Sequence, residues 1–155
     1  MVRGIREEIR QAKPFANPGS EAMVSLQRTA FCLQWRLIEL LKPYGISPTQ
    51  YNALRILRGA GEGGHACSEI GERMLNRDPD ITRLLDRMVK HGLVRRGRDK
   101  HDRRVITAKI TDAGLALLKE LEQPLEDFNQ RLTGRLGSRR LKEFLRTLDL
   151  IREKI

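Results

Sequence analysis

The sequence of 155 residues carries 30 lysines and arginines against 20 aspartates and glutamates, a net charge of +10. This excess favours a polyanionic partner, nucleic acid before an anionic membrane. No apolar run approaches the ~18 residues of a membrane span, and no signal peptide is apparent, so we expect a cytoplasmic protein without a membrane partner. Two cysteines form no disulfide framework, which favours a reducing compartment.

The N-terminal part of the chain is predicted to hold an arm and a long helix. Residues 1–19 are expected to form a mobile or partner-stabilised arm. The helix is predicted to open at Ser20 and to end before Pro43, over about residues 20–42. Apolar residues at alternating steps of four and three form a seam of the coiled-coil type on this helix. The seam comprises Leu26, Ala30, Leu33, Leu37 and Leu40.

A second helix is predicted directly after the turn at residues 44–46. Ser47 and Gln50 have the spacing of a capping box, and Pro48 fits the first helical position. The helix is expected to run to about Arg58. Its inward side chains are predicted to be Tyr51, Leu54 and Leu57. The glycines that follow have no GK[ST] signature, so they are interpreted as an ordinary loop.

A helix-turn-helix pair is predicted next. Ser68 is expected to cap a short third helix, Asp78 to cap a fourth with Pro79 at its first position, and Gly92 to end the fourth in the left-handed conformation. The fourth helix has an apolar stripe at Ile81, Leu84, Leu85, Met88 and Val89. Its outer side is predicted to carry Asp80, Thr82, Arg83, Asp86, Arg87 and Lys90.

A β-hairpin is predicted to follow the fourth helix. Leu93–Arg96 forms the first strand and Val105–Thr111 the second, in which Ile106, Ala108 and Ile110 point to one side. From residue 77 to residue 104 there are ten cations and five acids, a net +5 that is half of the charge of the chain. A helix with a polar outer face and a basic hairpin are the layout of a winged helix-turn-helix DNA-binding unit. The alternative is an amphipathic helix beside a solvated hairpin.

Two helices are predicted to complete the chain. Thr111 and Asp112 cap a long helix that Pro124 should kink or break and that glycines 134 and 137 end. Ser138 opens the last helix. Both helices carry apolar seams, which together with the first helix makes three. The two seams comprise Leu118, Leu121, Leu125, Phe128 and Leu132, and Leu141, Leu145, Leu148, Ile151 and Ile155. A twofold dimer would bury these seams more easily than an intramolecular bundle would, although the bundle stays open as an alternative.

These segments resemble the MarR family, the multiple antibiotic resistance regulators of bacteria. The similarity covers about Leu26 to Leu121 and is carried by SPTQYNALRIL, SEIGERML, DITRLLDRMVKHGLVRR and RDKHDRRVITAKITDAG. The resemblance implies a mainly α (α+β) winged-helix homodimer. In that division residues 20–155 form a single domain, with a DNA-binding lobe at about 47–111 and dimerisation helices at about 20–42 and 112–155. It also implies transcriptional regulation, usually repression of a palindromic operator, often relieved by a small lipophilic or phenolic effector or by cysteine oxidation.

The resemblance assigns roles to individual residues. It implies that Thr82 and Arg83 read bases, that Arg104 enters the minor groove, and that Asp102 braces the wing. The candidate DNA-binding residues are Arg77, Asp80, Thr82, Arg83, Arg87, Arg98, Lys100, Arg103 and Arg104. The partners expected are double-stranded DNA, a second copy of the chain and a small effector, with the protein associated with the nucleoid.

The cysteines depart from the redox-sensing pattern of the family. Peroxide-sensing members carry a reactive cysteine at the start of the first helix, whereas Cys32 lies in the middle of that helix and is interpreted as a packed core thiol. Cys67 lies at a predicted helix start, where a thiolate is favoured, but the sequence offers it no nearby resolving cysteine.

Two other functions compete with regulation. An enzyme is not expected, because the run from Asp99 to Asp102 matches no metal-ligand spacing and its neighbouring cations would repel a metal ion. No nucleophile elbow or dinucleotide fingerprint occurs, so neither a metal nor another cofactor is predicted. A nonspecific architectural DNA-binding protein would explain the charge, but not Thr82 and Arg83 on the outer side of the fourth helix.

Overall fold

The computed structural model describes residues 3–76, 80–98 and 104–155, without the side chain of Glu62. Two compact units are present, Met1–Asn52 and Ala53–Ile155. The helices of the described residues are α1 (Ile5–Glu8), α2 (Pro18–Leu41), α3 (Pro48–Gly59), α4 (Cys67–Arg73), α5 (Ile81–Lys90), α6 (Asp112–Thr133) and α7 (Gly137–Arg152). The strands are β1 (His65–Ala66), β2 (Val94–Arg98) and β3 (Ile106–Ile110), and short 3₁₀ turns lie at Lys42–Tyr44 and Gly61–Gly63.

The first unit is built around α2, which begins two residues before the predicted start. The side chain of Asn17 accepts a hydrogen bond from the Ser20 N–H (2.8 Å), and Pro18 takes the first turn. The predicted arm includes α1, which the Glu8–Arg28 ion pair (2.9 Å) ties to α2. The first helix of the arm is therefore attached to the long helix rather than free of it.

The capping box at the start of α3 is confirmed. The Ser47 N–H donates to the Gln50 side chain (2.9 Å), and the Gln50 N–H donates to the Ser47 hydroxyl (3.2 Å). Two backbone donors that the first turn would leave unpaired are thus satisfied reciprocally.

The prediction that Cys32 is a packed core thiol is wrong, because this cysteine is exposed. Cys32 follows Ala30 by two residues, which turns its side chain well away from the leucine seam of α2. The neighbouring apolar residues Phe31 and Trp35 are also exposed, by 74% and 63%.

The second unit has a three-stranded antiparallel sheet in the order β1-β3-β2. β3 is therefore the central strand, and β1, which was not predicted, pairs with it at His65↔Ala108. The alternation predicted for β3 is only partly found. Thr107 and Ala108 are both buried, whereas Ile106 at the end of the strand is 50% exposed.

The core of this unit is formed by apolar side chains from α3, α4, α5, the sheet and α6. Its buried members include Leu54, Leu57, Ile70, Leu84, Leu85, Met88, Val94, Leu118 and Leu121. Contrary to expectation, Val89 is 37% exposed. α6 continues through Pro124 to Thr133, so of the two outcomes predicted for Pro124, a kink or a break, the break does not occur.

Candidate nucleic-acid interface

The helix α5 has one buried face and one charged face. Leu84, Leu85 and Met88 are at most 1% exposed, so they fix the rotation of the helix about its own axis. The opposite face borders an open groove of about 440 Å³. The groove is lined by Asp80, Arg83, Asp86, Arg87 and Lys90. Thr82 is exposed as well, so the predicted outer face of this helix is confirmed.

The start of α5 differs from the prediction. The helix begins at Ile81, and its N-cap is Asp80, whose Oδ1 accepts the Arg83 backbone N–H (3.0 Å). The residues predicted for this role, Asp78 and Pro79, lie outside the described residues. The second carboxylate oxygen of Asp80 pairs with Arg83 Nε (3.0 Å), so one carboxylate holds both the backbone and the side chain of Arg83.

The end of α5 is joined directly to the start of α6. Gly92 has a φ of +71°, the left-handed conformation that was predicted to end the helix. The Thr111 hydroxyl donates to the Gly92 carbonyl (2.6 Å) and accepts the Gly114 N–H (3.1 Å). A Cβ atom at position 114 would lie 2.5 Å from the Leu93 carbonyl oxygen, so only glycine fits this approach.

The hairpin forms the wing beside this helix. β2 pairs with β3 from Val94↔Ile110 to Arg98↔Ile106, which places Arg98 at the outer end of the paired strands. Arg104 is exposed in the turn that leads into β3. Four predicted site residues, Arg77, Lys100, Asp102 and Arg103, lie outside the described residues.

Sequence reasoning missed Arg96, which connects the wing to α5. Its guanidinium Nη2 lies 2.9 Å from Asp86 Oδ1 and 3.2 Å from the Thr82 carbonyl oxygen, and its side chain is 30% exposed. The signal for this contact was the alternation of β2: Arg96 lies on the same side of the strand as Val94, which is buried. Arg96 therefore sets the position of the wing against the charged face of α5.

A second polar cluster supports α4, the first helix of the pair. His65 Nδ1 lies 3.3 Å from a Glu69 oxygen, and His65 Nε2 lies 3.0 Å from Arg73 Nη1. Because a guanidinium only donates, Nε2 accepts, and the ring proton lies on Nδ1, facing the carboxylate. The Ala66 N–H also donates to Glu69 (2.9 Å), which holds the pKa of that carboxyl below its ordinary value. α4 begins at Cys67 with Ala66 as its N-cap, two residues before the predicted cap Ser68.

The sheet contains one buried polar atom without a hydrogen-bond partner among the described residues. The Thr107 hydroxyl is buried on β3 and accepts or donates no bond there. It faces Gly97 across the strand pair, where a Cβ atom in place of the glycine hydrogen would lie 3.5 Å from the hydroxyl oxygen. This atom makes the centre of the wing sheet less stable than its apolar equivalent would be.

Among the described residues, no three histidine, cysteine or acidic side chains are grouped closely enough to hold a metal ion. Within the same part of the chain, no helix has the length and apolar character needed to cross a bilayer.

A helix-turn-helix whose second helix exposes a charged face, followed by a two-stranded wing, defines a winged helix-turn-helix fold. Comparison with known proteins agrees: a family model described as MarR family matches residues 44–105. A MarR transcription factor from Planctomyces limnophilus is 39% identical, with a TM-score of 0.67 over 88% of this chain and 99% of that structure. The chain belongs to the MarR family, and the predicted family and fold class are confirmed.

Two further relatives carry descriptive names. The HTH-type transcriptional repressor MdtR of Bacillus subtilis is 33% identical over 95 residues, 61% of this chain. The chain spans only 60% of the length of that repressor. A mutant of MarR from E. coli, solved in complex with operator DNA, is 25% identical with a TM-score of 0.71 over 84% of this chain and 95% of that structure. These relatives are transcription regulators, which confirms the prediction that the chain is not an enzyme.

Proposed function

We propose that the protein is a sequence-specific transcriptional repressor that binds a palindromic operator as a homodimer. The observation that carries this function is the exposed face of α5, where Thr82, Arg83, Arg87 and Lys90 line one side of a helix whose other side is locked into the core. A ten-residue helix is about 15 Å long and fits a major groove about 12 Å wide. Such a protein acts at the nucleoid.

The repressor MdtR and the operator complex of MarR support this function by similarity. In the operator complex a relative with 25% identity over most of the chain is bound to DNA. MdtR is named as a repressor, so we propose the same direction of regulation for this protein.

The homodimer is supported by apolar side chains that the chain leaves exposed on its terminal helices. On α6 and α7 these include Leu132 (53%) and Leu145 (51%), and Leu33 on α2 is 45% exposed. Because each lies on a predicted seam, a second copy would bury them together. The division into a DNA-binding lobe and dimerisation helices therefore stays a prediction with this support.

Sedimentation velocity at micromolar concentration tests the dimer. Leu132→Arg together with Leu145→Arg should convert it to a monomer, whereas Lys142→Ala, which removes an exposed cation of α7, should leave it intact. A monomeric wild-type protein would contradict the assignment.

An effector site is supported by a groove of about 470 Å³ within the first unit. Ile38 and Ile46 supply apolar walls, and Lys42 supplies a cation, which together suit a lipophilic or phenolic molecule with an acidic group. Titration of the protein–DNA complex with a series of phenolic acids should release the DNA, and Ile38→Trp, which fills the groove, should raise the concentration required. If that variant releases the DNA at the same concentration as the wild type, the effector binds outside this groove.

Footprinting separates regulation from nonspecific DNA packaging. A regulator protects a discrete palindrome within a genomic fragment, whereas an architectural protein protects the whole fragment uniformly. The probe would be fragments selected from a genomic library with the purified protein, since the operator sequence is the unknown quantity.

Variants of two arginines test the two proposed parts of the interface, α5 and the wing, separately. Arg83→Ala should weaken operator binding and flatten the preference at one base pair in each half-site, because an arginine–guanine contact contributes ~1–3 kcal/mol of discrimination. Arg104→Ala should weaken binding without changing that preference, because a narrow minor groove attracts it through electrostatic potential. It should also reduce the slope of log affinity against log salt by ~1 per subunit. An equal loss on all sequences for Arg83→Ala would reduce Arg83 to a phosphate contact.

A further inference from the structure

Asp80 and Arg83 make two contacts with each other at the start of α5. The two oxygens of the Asp80 carboxylate take the backbone N–H and the side-chain Nε of the same arginine, each at 3.0 Å. The side chain of Arg83 remains 82% exposed, and that of Asp80 is 43% exposed. An ion pair this exposed contributes little to stability, so its effect must be sought in what it does to the arginine.

The pair restricts which donors Arg83 presents. A guanidinium has five N–H donors in a rigid plane, and the bond from Nε to Asp80 leaves the edge formed by Nη1 and Nη2. Two parallel donors on that edge match the O6 and N7 acceptors of guanine. An arginine without such a brace is free to swing towards the nearest phosphate, and the negative charge of Asp80 disfavours a phosphate at this position.

Other cations of the same groove lack this arrangement. Arg87 and Lys90 line it with Arg83, but neither forms an ion pair with a described residue. Asp86, the second acid of the groove, pairs with Arg96 of the wing instead of with a residue of its own helix. The brace is thus specific to the arginine nearest the start of the helix.

We propose that Asp80 is a specificity-determining residue, which acts by holding Arg83 so that it reads guanine instead of a phosphate. The inference rests on the proposed function, since it requires a sequence-specific operator. The proposal predicts opposite effects on the affinity for unrelated DNA and on the discrimination between bases. Removing the Asp80 charge should strengthen binding to unrelated DNA while it weakens discrimination at one guanine.

The experiment uses the full chain and a duplex of about 30 base pairs, long enough for two half-sites one helical turn apart, recovered from a random-sequence pool by the wild-type protein. Affinity is measured for this duplex, for a scrambled duplex, and for duplexes in which each guanine of a half-site is replaced by 7-deazaguanine, which lacks the N7 acceptor. For the wild type, one 7-deazaguanine position should reduce affinity by about 10-fold, within the range of a lost bidentate contact.

Asp80→Asn is the informative variant, because asparagine caps a helix as well as aspartate does but cannot form the ion pair. The loss at the 7-deazaguanine position should fall to less than about 3-fold, and affinity for the scrambled duplex should rise. Asp80→Ser keeps a cap and lacks the charge, so it should behave in the same way. In an Arg83→Ala background, Asp80→Asn should not change the guanine discrimination any further.

Glu72→Gln is the matched control, since it removes one negative charge from an exposed residue of α4, the other helix of the pair, and leaves the brace of Arg83 intact. It should strengthen binding to the scrambled duplex and retain the guanine preference. If Asp80→Asn also retains that preference, the positioning role is overturned while base reading by Arg83 stands. If Arg83→Ala itself retains it, Arg83 does not read the guanine, and the role of Asp80 fails while sequence-specific binding stands. If no discrete duplex is recovered, the proposed function fails, and the role of Asp80 fails with it.

Discussion

The contact between Arg96 and α5 offers the most direct test of how the wing is held against α5, the helix proposed to enter the major groove. Arg96→Ala removes an ion pair with Asp86 and a hydrogen bond to the Thr82 carbonyl. The pair is half exposed on the acid side, so its share is only about 0.5 kcal/mol. The hydrogen bond adds about 1 kcal/mol, which gives a loss of about 1.5 kcal/mol in the free energy of unfolding.

For a chain of this size each kcal/mol lowers Tm by about 2–4 °C, so Arg96→Ala should melt about 3–6 °C below the wild type. Arg95→Ala is the control, because Arg95 is the adjacent arginine of β2 and is exposed on the opposite side of the strand. It should change stability by no more than about 0.5 kcal/mol. Both variants remove one positive charge, so a further loss of operator affinity in Arg96→Ala alone reports the position of the helix against the wing.

Calorimetry and a double-mutant cycle with Asp86→Ala supply the readout. The coupling between positions 96 and 86 should be about 0.5–1 kcal/mol. Equal melting temperatures for Arg95→Ala and Arg96→Ala, together with a coupling indistinguishable from zero, would refute the assignment of Arg96 as the link.

Three other outcomes are expected. Thr107→Val should stabilise the protein by about 1 kcal/mol in urea unfolding, because it removes a buried hydroxyl that has no partner among the described residues; a lower midpoint would contradict this. Glu69→Gln should lose stability at pH 7. The pKa of Glu69 is lowered below 4.5, chiefly by the Ala66 N–H, so the carboxylate stabilises the fold above that pH and less as pH falls through the folded-state pKa. The difference from wild type should therefore shrink in acid, and a difference independent of pH would count against the contact. Finally, Cys32→Ser and Cys67→Ser should leave operator binding under mild peroxide unchanged, and peroxide release that either variant abolishes would overturn this expectation.

Features with partners close in sequence were predictable. The capping box joins Ser47 to Gln50, and Thr111 caps α6 through Gly114, so each is decided within four residues. The left-handed glycine at position 92 was recognisable for the same reason. At these positions no long-range contact overrides the local hydrogen-bonding preferences.

Features with distant partners were not predictable. β1 has two residues and exists because His65 pairs with Ala108, 43 positions later. The start of α5 was misplaced because Asp78 and Asp80 are equally good caps by type, and the choice depends on where Leu84 and Leu85 enter the core.

The candidate site shows the same division. The exposed cations of α5 followed from helical periodicity, whereas Arg96 could be assigned only once Val94 was known to be buried on the same side of β2. The brace between Asp80 and Arg83 required the position of the helix cap as well as the identity of the residues.

The Thr111 hydroxyl, which bonds to both Gly92 and Gly114, connects the C-terminal end of α5 to the N-terminal end of α6. α6 has 22 residues and is therefore about 33 Å long, and its N-terminal end lies at the C-terminal end of α5. In the proposed dimer, a tilt of α6 by about 6° about its C-terminal end would displace α5 by about 3.5 Å, roughly one base-pair step. A small change in the angle between the two subunits of this dimer would therefore change the distance between their two α5 helices, and with it the half-site spacing that they fit. The winged-helix fold itself would not be deformed.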